Sequence, residues 1–216
     1  MDHPVRDWRR TAFVAAALLL LAGLLIAVAY TGGFTGRDAA ALAEATEERT
    51  PPRITAAVTL TEIGNTIASA TIAVVAGAVC WWRGRRDEAV YLVATTATAA
   101  LVFTLVKRLL ERPRPPASAQ VVRETNESLP SGHATMSAVA LASIVVVAWP
   151  HLAARGRALL VAVAVLWVGA VGSTRIYLGV HWFSDVLAGW TLGLAWAAVG
   201  AAVLFRWRAR EPSPVV

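Results

Sequence analysis

Apolar residues gather in six runs along the chain, at about 12–30, 63–82, 88–106, 133–149, 158–173 and 186–205, with polar residues collected between them. Each run approaches the ~20 residues that cross a bilayer as a helix. A backbone in lipid must satisfy its own hydrogen bonds, so each run is expected to be a transmembrane helix. The many Ala and Gly residues within the runs suit close helix–helix contact. The pattern therefore predicts an all-α, polytopic membrane protein with six transmembrane helices, one membrane-embedded domain over residues 1–216.

Composition supports this. Hydrophobic residues make up 57% of the 216 and charged residues only 16%, with a mean hydropathy of +0.58. A soluble domain of this length carries more charge. The net charge of +6 would suggest nucleic acid in a soluble protein. Here the arginines flank apolar runs, so they are read as topology signals and contacts to anionic lipid, with no nucleic-acid partner expected. The lone cysteine, Cys80, lies within a run and reads as a small packing residue.

The flanking charges alternate in side. Arg6, Arg9 and Arg10 precede the first run; Arg83, Arg85 and Arg86 follow the second. Arg155 and Arg157 separate the fourth and fifth, and Arg206, Arg208 and Arg210 follow the sixth. The positive-inside rule makes all of these cytoplasmic, together with both termini and a 206–216 tail. Trp8, Trp81, Trp82, Trp149 and Trp207 fall at the same boundary and fit an aromatic belt, where His3 and His151 read as interfacial. The outer side then receives the 31–62 loop, the 107–132 loop and the turn near 174–185.

Three segments carry secondary expectations. Ala27-Val28-Ala29 resembles a signal-peptide cleavage site, but the first run exceeds the ~7–15 residues of a signal core, which favours a retained helix. Arg37 to Arg49 suits a helix on the outer membrane surface or a solvated helical loop, ended by Pro51-Pro52. The tail Glu211 to Pro214 is expected to be disordered.

The polar residues on the outer side form three clusters. Lys107 is the one lysine of the chain, and Arg114 follows seven residues later. Pro113 and Pro115 should stop the helix, so Lys107 caps the third run and Arg114 returns on an extended segment. Both cations oppose the charge rule for that face. A point charge plus a guanidinium fork suits phosphate oxygens; snorkelling at the lipid boundary is the plainer account.

Pro130-Ser131-Gly132-His133 opens the fourth run. Free N–H groups at a helix N-terminus attract anions. Ser131 can cap the helix or donate to an oxyanion, Gly132 admits close approach, and His133 can donate a proton to a leaving oxygen. An ordinary helix start with a chance histidine is the alternative.

The third cluster runs from Thr174-Arg175 to His181 and Asp185. The last two are four apart and would share a helix face. A carboxylate on one ring nitrogen leaves the other free to attack, and Arg175 adds a second guanidinium. A buried structural pair is the alternative, but charge so near lipid is costly without a role. Glu62 reads as a boundary carboxylate that could line the mouth, and Asn126-Glu127-Ser128 as a chance sequon.

Lys107-x6-Arg114-Pro115, Pro130-Ser131-Gly132-His133 and Thr174-Arg175-x5-His181-x3-Asp185 together resemble the signature of the type 2 phosphatidic acid phosphatase (lipid phosphate phosphatase) superfamily, over 107–185. Thr174 replaces the usual Ser but keeps the hydroxyl. The resemblance implies an integral membrane phosphatase without metal or other cofactor. It makes His181 a phosphorus nucleophile, Asp185 its support and His133 the proton donor. Lys107, Arg114, Ser131, Gly132 and Arg175 become the phosphate-holding set.

A site at headgroup depth on the outer face of the cell membrane suits a lipid mono- or diphosphate. Phosphatidic acid, phosphatidylglycerol phosphate and undecaprenyl pyrophosphate all fit. A lipid-linked phosphotransferase and an anion or lipid transporter built on the arginines are the rival functions, the latter weakened by the absence of an evident repeat. A vanadate-binding haloperoxidase shares the signature but is typically soluble. Oligomeric state is not encoded in these patterns.

Overall fold

The structure is a computed structural model and describes residues 7–210. Eight α-helices follow one another: α1 (Trp8–Tyr30), α2 (Thr35–Glu47), α3 (Pro51–Ile63), α4 (Thr66–Trp82), α5 (Arg86–Leu110), α6 (Gly132–Ala148), α7 (Ala154–Tyr177) and α8 (Phe183–Arg208). No strand occurs among the described residues. The expectations for His3, Arg6 and the Glu211–Pro214 tail lie outside them.

Helices α1, α5, α7, α8 and the Gly132–His151 segment containing α6 are each long and apolar enough to cross a membrane. Helices α3 and α4 meet at a 43° bend and are long and apolar enough only as a pair, which makes them a broken span or a re-entrant loop and the count of spans five or six. The expected second run, 63–82, straddles that break. Asn65 causes it locally: its side-chain oxygen accepts the Ala68 N–H at 2.8 Å and starts α4 afresh.

The 31–62 segment is mostly helix rather than loop. Pro51 and Pro52 do not end the preceding helix, which stops at Glu47; they occupy the first positions of α3. Proline fits there because the first helical N–H groups need no helical partner. Helix α2 packs against α7 and α8, and the residue it buries is Asp38, a carboxylate, in place of the apolar stripe of a surface-lying helix.

Two contacts set the frame around the site. Helix α1 lies along α8 and buries Ala15, Ala22 and Ala29, spaced two helical turns apart. Helices α6 and α8 touch almost backbone to backbone. A Cβ at Gly189 would stand 2.8 Å from the Ser131 carbonyl oxygen, and one at Gly193 only 2.5 Å from that of Thr135. This contact sets the start of α6 beside the start of α8, where the Ser131 N–H donates to the Asp185 carbonyl at 3.0 Å.

The opposite end is a ring of arginine and tryptophan. Arg9 and Arg206 lie over Trp8, Arg86 over Trp81 and Arg157 over Trp149, all within 5.6 Å of the ring centre. Arg208 bonds to Glu88 at 3.0 Å and also reaches Asp87, joining the start of α5 to the end of α8. Cys80 is buried at this end, packed against Ala89 and Leu92 as expected of a packing residue.

Candidate active site

Helix α5 stops at Leu110 because Glu111 turns into the left-handed region, φ +47°, and returns its N–H to the Lys107 carbonyl at 3.0 Å. The following Arg-Pro-Arg-Pro cannot continue a helix. In an extended segment side chains two apart share a side, so Arg112 and Arg114 both face the turn before α8. Arg114 Nη1 donates to the Val180 carbonyl and stands 3.3 Å from His181 Nε2. Its Nε donates to the Asn126 carbonyl at 2.7 Å, and Nη2 to the Asn126 side chain. Lys107, buried in the last turn of α5, donates to the Glu127 carbonyl.

The 111–131 loop is anchored along its length. Ser128 donates its N–H to the Arg112 carbonyl at 2.9 Å and its hydroxyl to that of Pro113 at 3.1 Å. The Trp182 indole also donates to Pro113, at 2.9 Å. The loop ends at Ser131, the N-cap of α6, whose oxygen faces the Ala134 N–H at 3.5 Å. Gly132 packs under the Phe103 ring, which a Cβ would approach to 3.2 Å. His133 follows in the first turn of α6, half-buried, with Arg175, Arg114 and Lys107 as cationic neighbours and His181 nearby.

Arg175 lies in the last turn of α7, buried. Its Nη1 donates to Thr61 Oγ1 at 2.8 Å and its Nη2 to Glu124 Oε1 at 2.7 Å, while the buried Nε has no acceptor among the described residues. Glu124 Oε2 also lies 3.8 Å from Arg114. Past α7 the chain reverses at Gly179, where φ is +71° and a Cβ would fall 2.2 Å from the Ala119 carbonyl oxygen. Only glycine fits that turn. The N–H groups of Val180 and His181 then both point to the Arg175 carbonyl.

His181 precedes α8 rather than lying on it, which corrects the shared-helix-face expectation. Helix capping joins the pair instead. Asp185, the third residue of α8, accepts the Trp182 N–H at 3.0 Å on Oδ2, and the same oxygen lies 3.3 Å from His181 Nδ1. A guanidinium can only donate. The Arg114 contact therefore fixes Nε2 as the unprotonated nitrogen and Nδ1 as the one bearing hydrogen toward Asp185. Burial, then the positive charges of Arg114, Lys107 and Arg175, push the His181 pKa well below its ordinary value.

All eight expected residues thus converge on one end of the bundle, on α5, the 111–131 loop, α6, α7 and the start of α8. Sequence reasoning missed their supports. Arg112 Nη1 donates to Asp185 Oδ1 and, at 2.9 Å, to Ser184 Oγ; its Nη2 donates to Asp38 Oδ2 at 2.8 Å. Glu124, Asn126 and Thr61 hold the other two arginines. Glu62, read as a boundary carboxylate, is exposed, and its neighbour Thr61 makes the contact to Arg175. Period-two spacing from Arg114 was available as a signal for Arg112; nothing local pointed to Asp38.

Several comparisons bear on this arrangement. The chain is similar to phosphatidylglycerophosphatase B of Bacillus subtilis, 29% identical over 181 residues that cover 82% of this chain and 88% of the relative. Decaprenylphosphoryl-5-phosphoribose phosphatase of Mycobacterium tuberculosis is 37% identical over 132 residues, 59% of this chain and 65% of that one. A solved transmembrane PAP2-type phosphatidylglycerolphosphate phosphatase from Bacillus subtilis superposes with a TM-score of 0.78 at 28% identity, over 86% of this chain and 93% of its own. The family model of the PAP2 superfamily matches residues 88–209, which include every expected site residue, and the chain belongs to that superfamily.

Proposed function

We propose that this protein hydrolyses the phosphate ester of a membrane lipid through a phosphohistidine on His181, without a metal, at the outer face of the cell membrane. As a PAP2 member whose relatives are phosphatases it is a phosphoric ester hydrolase acting on lipid phosphates. One observation carries the mechanistic reading: the buried His181 is held between Arg114 on Nε2 and Asp185 on Nδ1. That leaves one nitrogen unprotonated beside a cation, as attack on a phosphate requires.

In the first step the Nε2 lone pair forms a bond to phosphorus and the bond to the lipid oxygen breaks. His133 gives its proton to the departing alkoxide. The ring of His181 becomes cationic, its Nδ1 keeping the hydrogen it directs at Asp185 Oδ2. In the second step the neutral His133 takes a proton from water, whose oxygen bonds to phosphorus as the N–P bond breaks. Phosphate leaves and His181 is restored. Lys107, Arg114, Ser131, the Gly132 N–H and Arg175 hold the non-bridging oxygens, and the unpaired Nε of Arg175 is a donor awaiting an acceptor. Positioning and charge stabilisation account for most phosphoryl-transfer catalysis, and this basic set supplies both.

The site face is assigned to the outside because the arginine–tryptophan ring occupies the other end. The relative matched over most of both chains is by name a phosphatidylglycerophosphatase. Phosphatidylglycerol phosphate is therefore the first substrate to assay, ahead of phosphatidic acid and undecaprenyl pyrophosphate. Purified protein in detergent with EDTA should release free phosphate, and His181→Ala should not. Release by the variant at the parental rate rejects the nucleophile. Activity lost to chelator and regained with a divalent ion rejects the metal-free step, and a phosphorylated acceptor in place of free phosphate makes the protein a phosphotransferase.

A further inference from the structure

Arg112 lies beside the phosphate-facing arginine but serves the other side of the nucleophile. Its three acceptors are Asp185 Oδ1, Ser184 Oγ and Asp38 Oδ2, all protein groups. Asp38, 2% exposed, is committed in turn: Oδ1 accepts the Ser184 N–H at 2.8 Å, and Oδ2 accepts the Ser184 hydroxyl at 2.7 Å. The two oxygens of Asp185 then face different partners. Oδ1 takes Arg112, and Oδ2 takes the Trp182 N–H and faces His181 Nδ1. The result is a row, Asp38–Arg112–Asp185–His181, buried except at the partly exposed Arg112, running from α2 to the attacking imidazole.

We propose that Arg112 and Asp38 are positioning residues for the attack, acting through Asp185. A fully buried carboxylate is stable as an anion only with a charge partner and filled lone pairs. Arg112 supplies the charge, and its rigid fork leaves Oδ2 in place for the imidazole. Asp38 and the Ser184 hydroxyl hold that fork away from the phosphate. Turnover depends on this because the cation that forms on His181 is stabilised only by a correctly placed anion. Substrate binding does not, because neither residue faces the phosphate. The inference rests on His181 being the nucleophile.

The test is a double-mutant cycle on the full chain in detergent, with kcat, KM and the inhibition constant for inorganic phosphate measured for each variant. Arg112→Gln should lower kcat by about 10-fold or more, the scale of a lost charge-assisted hydrogen bond, and Asp38→Asn should lower it less. KM and inhibition by inorganic phosphate should stay within about two-fold of the parent, as expected where ground-state phosphate binding is untouched. Arg112→Lys, which keeps the charge, should recover part of the loss. In an Asp185→Asn background Arg112→Gln should add little, because the residue through which it acts is gone.

Losses that multiply in the double variant overturn the proposal, as does a loss confined to KM. If Asp185→Asn is itself as fast as the parent, the phosphohistidine reading fails and this inference fails with it. Gel filtration and a thermal melt separate unfolding from slow chemistry. Should Arg112→Gln unfold, the isosteric Asp38→Asn carries the same cycle, and parental kcat there also overturns the proposal.

Discussion

His181 is the residue whose surroundings most restrict what it can do. It is 2% exposed, and three cations surround it. Its pKa is therefore below the ~6.5 of a solvated imidazole, and the sign of the consequence follows. Between the lowered folded value and ~6.5 the unfolded chain binds a proton at this position that the native chain does not. Stability then rises with pH through that window and is lost as pH falls. The apparent melting temperature should drop from pH 7 to pH 5, and His181→Asn should drop less. Equal slopes for parent and variant would contradict this electrostatic picture. The same enclosure explains what was legible at this scale. The proposed site residues occur in short ordered motifs, so Lys107, Arg114, Ser131, Gly132, His133, Arg175, His181 and Asp185 could be picked out as candidates from the sequence. Their partners lie far away in sequence, Asp38 being 74 residues from Arg112. A lone aspartate in a polar, Ala-rich stretch gives no sign of that contact.

The spans were legible as elements because lipid demands long uninterrupted apolar runs. Helix α2 was legible only in part, as a helix over Arg37 to Arg49, and α3 was not, because Pro51 and Pro52 read as a stop and instead open it. Arg49 Nε and Nη2 donate to the Tyr177 carbonyl at 3.0 and 2.8 Å, fixing the α2–α3 junction on the end of α7. The α6–α8 contact carries the site, since it sets Ser131 and His133 against Asp185. Gly193→Ala would place a methyl 2.5 Å from the Thr135 carbonyl oxygen and 2.8 Å from the Ala138 Cβ. The helices must part, at about 1–3 kcal/mol for an overpacked contact. A lower melting temperature together with reduced phosphate release is expected in the purified variant. Parental values for both would show that this contact does not set the site.

Across the whole molecule the chemistry and the charge belts sit at opposite ends, and the topology follows from which end meets the cytoplasm. Ser118 is exposed in the site-side loop, and the native Cys80 is buried. Ser118→Cys should therefore react with an impermeant maleimide added to intact cells. Reaction only after lysis would invert the orientation. In the proposed mechanism the bundle holds one imidazole ready for phosphorus, and a trapped intermediate tests that claim most directly. His133→Ala, given radiolabelled p-nitrophenyl phosphate, has a leaving group that needs no proton but lacks the base for the second step. It should accumulate label that is stable in alkali, labile in acid and confined to the tryptic peptide 176–206 that contains His181. Turnover of that substrate by the parent, with no labelled protein or with label on any residue other than His181, would contradict the account.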